Sequence, residues 1–290
     1  VSTDVRATDA SDASQRVVDL ADSLAQYYQR YEADHDARAV FAFSYCNLTR
    51  GLAARLADPE SGFDDPDWVA DLACVFGRRY MAAMDELDQW QRTADGVAGD
   101  PDSLATLDAD VARPWADVYR AICLERSTVL EDLLYGIYAH ISYDLPFALL
   151  EVDTDVDRLA DYHLMNEVLA THTELIQSVV TARYDRLLSR ADRVAGTADE
   201  FFTNYGIRVA RSVAWYNGMR LQSEASREAT AASIERSTAA FIDSVRRPRS
   251  RVLLGAFSFA RYLSSVSRRW PTPQAEATDA DVLVRQLAGP

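Results

Sequence analysis

The chain has 290 residues, 48% of them hydrophobic, which is enough apolar material for a sizeable core and too much for a disordered body. Its formal net charge of −15, from 45 acids against 30 bases, argues against nucleic acid or an anionic membrane as the main partner, since both require a positive footprint. No run of about 18 uncharged apolar residues occurs, so no membrane span is expected.

All 30 basic residues are arginine and 32 of the acids are aspartate. Short, hydrated carboxylates keep a surface soluble at low water activity, whereas lysine adds an exposed aliphatic stem. The composition therefore points to a salt-rich cytoplasm, that of a halophilic archaeon. The start of the chain has no apolar signal-peptide core, consistent with that setting. Cys46, Cys74 and Cys123 each fall within an apolar helical pattern and form no CxxC, so they read as core residues in a reducing compartment.

In chain order, residues 1–12 are polar and read as a loosely held tail, as do residues 271–290. Between them, residues 13–270 read as a single all-α, bundle-like domain of about eight to ten helices. Segments 13–33 and 36–57 form a first pair, with Val17, Leu20, Leu24 and Tyr27 marking one face. Asp65 as N-cap and Pro66 at the first helical position start a helix that runs to about Trp90. A polar stretch over 91–103 interrupts the pattern before Arg113-Pro114-Trp115 opens another helix. Thr128 and Glu131 form a capping box for the next, which runs to the acidic turn at Asp153 and Asp155. A long helix over about 156–190 follows. Thr197 and Glu200 suggest a second capping box, ahead of helices near 198–223, 227–246 and 250–269. No alternating β-type run and no internal repeat is present.

The chemistry suggested by the sequence centres on Ala139–Pro146. His140 and Asp144 are four residues apart and project from one helical face, at the edge of the stripe set by Leu130, Leu133, Leu134, Ile137 and Ile141. Pro146 removes the bond to the Ser142 carbonyl and is expected to kink or end the helix, leaving a polar pocket. On the following helix Asp161 and His172 fall near the middle of the apolar stripe, where a carboxylate is costly unless paired. They are eleven residues apart, about 16 Å along the axis, so only one can join His140 and Asp144, and Asp161 is preferred. His163 and Glu167 project to the opposite, solvated face. His140, Asp144, Asp161 and Asn166 would suit a divalent ion, zinc, manganese, iron or magnesium, with Asp144 and Glu151 as catalytic carboxylates.

At these residues the chain resembles an uncharacterised family, domain-of-unknown-function family 5995. The resemblance rests on His140-Ile141-x-x-Asp144-Leu145-Pro146, Asp161-Tyr162 and Asn166, with Asp67-Trp68, Pro114-Trp115 and Ala214-Trp215 as weaker landmarks. It implies no reaction. His140-x-x-x-Asp144 followed by a proline is also similar to the helical zinc motif of the phospholipase C and P1 nuclease group, without that motif's second histidine. Tyr143-Asp144-Leu145 with Glu151 has the spacing of the second metal motif of class I terpene synthases, with Tyr143 and Phe147 departing from it. Glu32-x-x-His35 is a single ExxH, where a ferritin-like di-iron site needs two.

Three functions are therefore expected, in order: a metal-dependent hydrolytic enzyme acting on a small molecule; a terpene-synthase-like cyclase using magnesium and an isoprenoid diphosphate; and a non-catalytic helical module binding a ligand or partner helix.

Overall fold

The stretch from Ala39 to Thr49 carries no charged side chain, and it forms the centre of the molecule. In the computed structural model, which describes residues 2–93, 101–125, 127–171, 173–185 and 204–271, it lies in helix α2 (Ala39–Ala57), buried from Ala39 through Asn47 without a break. A helix apolar all round can only be a core helix. Its polar side chains turn back onto their own backbone: Ser44, Asn47 and Thr49 donate to the carbonyls of Val40, Phe43 and Tyr45 at 2.9, 2.7 and 2.8 Å.

The other helices wrap this rod. α1 (Ser2–Ala33) packs along α2, and α3 (Pro66–Thr93) packs on α1. After α4 (Pro101–Asp110), α5 (Arg113–Tyr119) runs into a π turn at Arg120–Leu124. α6 (Val129–Ala139), a second π turn (His140–Asp144) and α7 (Leu145–Glu151) follow as one rod. A 3₁₀ turn at Val156–Arg158 leads to α8 (Leu159–Thr171), followed by α9 (Thr173–Tyr184), α10 (Asn204–Gln222), α11 (Glu224–Arg246) and α12 (Arg251–Ser267). α10 packs on α7, α11 on α10 and α5, and α9 on α6 and α2. The fold is all-α; among the described residues there is no strand, and an isolated bridge joins Asp185 to Arg268. No helix among the described residues is long and apolar enough to cross a membrane.

Local signals in the sequence account for the helix starts. Asp65 Oδ1 accepts from the Trp68 N–H at 2.9 Å, and Thr128 and Glu131 complete a reciprocal capping box. The Thr197–Glu200 box, His172 and residues 272–290 lie outside the described residues.

Three boundaries differ from expectation. α1 begins at Ser2 rather than 13, because residues 2–12 contain no proline or glycine and extending a helix costs far less than nucleating one. α4 occupies the end of the polar stretch, where Asp100-Pro101 repeats the start signal of Asp65-Pro66. The rod does not end at Pro146: the Leu145 N–H donates to the His140 carbonyl five residues back, and the wider π turn accommodates the proline ring.

Burial of charge follows one rule almost everywhere. Glu32 accepts from Arg183 Nε and Nη2 at 2.8 and 3.0 Å and from the Tyr184 hydroxyl, while Arg38 is held by Asp36 and Asp88 at 2.6 and 2.7 Å. Arg261 pairs with Glu131 and Arg268 with Asp132, both at 2.6 Å. In the ExxH, Glu32 is thus committed to an ion pair and the His35 ring stacks on Trp270. Of the cysteines, Cys46 is buried and Cys74 and Cys123 are half-buried, all as free thiols.

Two glycines test the packing. A Cβ at Gly136 in α6 would lie 2.4 Å from Phe41 Cγ, whereas at Gly255 in α12 it would meet nothing within 4 Å. Gly136→Ala should therefore destabilise by about 1–3 kcal/mol, while Gly255→Ala should gain up to about 1 kcal/mol from helix propensity. Denaturant midpoints moving in opposite directions would bear this out.

Candidate functional site

The π turn places His140 and Asp144 at the centre of the molecule, each 2% exposed. His140 Nδ1 lies 2.8 Å from Asp144 Oδ2, and the same carboxylate accepts the indole N–H of Trp115 at 3.1 Å. The indole can only donate, so the carboxylate is the acceptor and Nδ1 carries the imidazole proton. Nε2 is buried and has no hydrogen-bond partner. The imidazole lies flat on Phe76, ring centroids 3.5 Å apart and planes at 4°, with Tyr45, Tyr80 and Phe41 ringed around it at 4.6, 5.7 and 5.8 Å. Burial in this aromatic cage lowers the His140 pKa, against the opposing pull of Asp144. The ring is therefore neutral near pH 7, with a free lone pair on Nε2.

The pair stands between two cavities. His140 lines an inner cavity of about 100 Å³ walled by Leu72, Phe76, Leu133, Ile137 and Met165, with Arg211 on its wall. Asp144 lines an outer cleft of about 320 Å³ together with Arg78, Arg79, Glu86, Tyr143 and Glu151. The pair expected to share one polar pocket is thus divided, with Asp144 on a polar cleft and His140 turned toward the greasy face of α2 and α3.

The other candidates separate. Glu151 shares the outer cleft with Asp144 but is half-exposed and faces Arg78 and Arg79 at 3.3 and 3.7 Å. Asp161 is buried, as its place on the stripe implied, yet both its oxygens are taken by the backbone N–H groups of Asp64 and Asp65, at 2.8 and 2.9 Å. It thereby pins the entry to α3. Asn166 Oδ1 accepts from Arg211 Nε. His163 and Glu167 are exposed, as expected. Among the described residues no three His, Cys, Asp or Glu side chains are grouped to hold a metal ion, and Asp161 and Asn166 are bonded to other partners than the His140–Asp144 pair.

Three residues at the centre escaped the sequence reading: Phe76, Tyr45 and Arg211. Arg211 left a usable signal, since Ile207, Arg211, Ala214 and Gly218 follow one another at 4-3-4 spacing on one face of α10. A cation on that stripe stands out by the same bookkeeping that isolates Asp161. Phe76 and Tyr45 left none, being indistinguishable from other core aromatics.

If Asp161 serves α3 rather than the centre, Asp161→Ala should cost about 1–2 kcal/mol in a denaturant titration. The NMR signals of the His140 imidazole should not move in that variant.

Comparison with known proteins finds no match among curated proteins and none among solved structures. The family of unknown function DUF5995 matches residues 17–98 and 102–248, which include every residue that lines the inner cavity around His140. The chain belongs to the family of unknown function DUF5995.

Proposed function

We propose that the protein is an enzyme performing general-base chemistry, in the simplest case hydrolysis, on a small and largely apolar substrate held in the inner cavity. The observation that carries this reading is the asymmetry of one ring. His140 Nδ1 is fixed on Asp144, Nε2 is unpartnered, and the residue lines an apolar cavity. In this reading Nε2 takes a proton from water as the water attacks the substrate, and later returns it to the leaving group. The imidazolium that forms in between is stabilised by the Asp144 carboxylate across the 2.8 Å bond, and Trp115 keeps that carboxylate in place. Surrounding aromatic rings exclude bulk water and strengthen the interaction.

A panel of small apolar esters and amides tests this. Turnover should fall about 10²–10⁴-fold in both His140→Gln and Asp144→Asn with helical circular dichroism preserved. Because burial lowers the His140 pKa, the base stays neutral through the ordinary histidine range, so activity should decline only as pH drops below about 6.5. Undiminished turnover in His140→Gln, or none by the wild type across the panel, overturns the reading.

A second reading, a divalent ion on Nε2, is favoured by the Asp144–His140 arrangement, which is how proteins orient metal-binding imidazoles. Stoichiometric zinc, manganese or iron in protein purified at high salt, lost in His140→Gln, would establish it instead.

A further inference from the structure

Three arginines among the described residues are buried to the point of being at most 4% exposed: Arg38, Arg183 and Arg211. The first two have carboxylates in contact, Asp36 and Asp88 for Arg38 and Glu32 for Arg183. Arg211 differs. Its Nε donates to the neutral amide of Asn166, its guanidinium lies 4.9 Å from the centre of the Tyr162 ring, and Nη2 is buried with no partner. No carboxylate among the described residues forms an ion pair with it. A buried cation without a counter-charge costs several kcal/mol, and guanidinium cannot escape that cost by deprotonating near neutral pH. Burial lowers the Arg211 pKa, and only the Tyr162 and Tyr45 hydroxyls oppose it.

Arg211 also lies on the wall of the inner cavity, whose lining includes no other arginine or lysine. We propose that Arg211 anchors a carboxylate and that the inner cavity takes a small monocarboxylic acid with an apolar body. The inference rests on the cavity being the ligand site, as in the proposed function, and adds the charge of the occupant.

The chemistry selects this class in two ways. A single guanidinium balances one negative charge, and the remaining lining offers no lysine, histidinium or second arginine, so a phosphate or diphosphate would enter with charge uncompensated. Most of the remaining wall is apolar, Leu48, Leu52, Leu72, Leu133, Ile137 and Ile176 among it, and calls for a hydrocarbon body. The cavity of about 100 Å³ is smaller than the ~150 Å³ that admits benzene, which limits that body to a short chain. The exposed fork–fork pairing of a surface arginine would contribute little, but a charge-assisted bond closed off from water is stronger and sets orientation.

The test is calorimetric titration of the 290-residue chain with linear carboxylates from butyrate to octanoate, each matched to the primary alcohol of equal length. Acids should bind tenfold or more tighter than their alcohols, with an optimum in chain length. In Arg211→Met, with circular dichroism unchanged, that preference should shrink to within about twofold. Equal binding of acid and alcohol by the wild type overturns the carboxylate anchor while leaving the cavity as an apolar ligand site. Binding of neither overturns both readings. Should Arg211→Met fail to fold, the Arg211 Nε–H resonance of the wild type decides: a shift on adding butyrate but not butanol supports the anchor, and equal response to the two overturns it.

Discussion

Asp144 puts a carboxylate into the aromatic centre of an otherwise apolar core, and the neighbouring elements are arranged around keeping it there. Its two donors come from different parts of the chain: the Trp115 indole at the start of α5, and His140 one turn back along the same rod. Loss of either donor would leave a buried carboxylate short of a partner, at a cost of about 1–3 kcal/mol. The His140 ring is consequently fixed in tautomer and orientation before any ligand arrives. In the proposed reaction, that preorganisation lets the unpartnered Nε2 act as a base without rearrangement.

The π turn is the backbone counterpart of this arrangement. A regular helix through His140–Asp144 would have met the proline at Pro146 with a kink, whereas the widened turn absorbs it and continues into α7. α7 then gives α10 a straight surface, and Gly218 of α10 sits where a side chain would lie 2.9 Å from Leu149 Cβ. That close approach is what brings Arg211, two turns earlier on α10, to the same cavity as His140.

Charge burial organises the periphery by the same physics. The ion pairs Glu32–Arg183, Arg38–Asp88, Glu131–Arg261 and Asp132–Arg268 join segments distant in the chain, and each is partly or wholly withdrawn from water. Pairs of this kind keep their strength when salt screens the surface. Asp132 shows the tension involved: burial raises its pKa to about 6 even though Arg268 and Ser127 act to lower it. An acid whose folded pKa is raised loses stability as pH climbs from its unfolded pKa through that value, so this carboxyl favours the folded state on the acid side.

The sequence by itself determined the fold class, most helix starts and the central pair. Helical periodicity, Asp65-Pro66 and the Thr128–Glu131 box are local signals, readable because capping depends on residues three or four positions apart. The i,i+4 spacing of His140 and Asp144 survives the π turn for the same reason. It also showed that Asp161 needed partners, but not which ones. Only the tertiary structure decided that Asp161 would be satisfied by the backbone of Asp64 and Asp65, that Asn166 would receive Arg211, and that Trp115 would close on Asp144. Those choices lie with residues 29 to 97 positions away, and a buried polar group records in the sequence only that it must be paired, never with what.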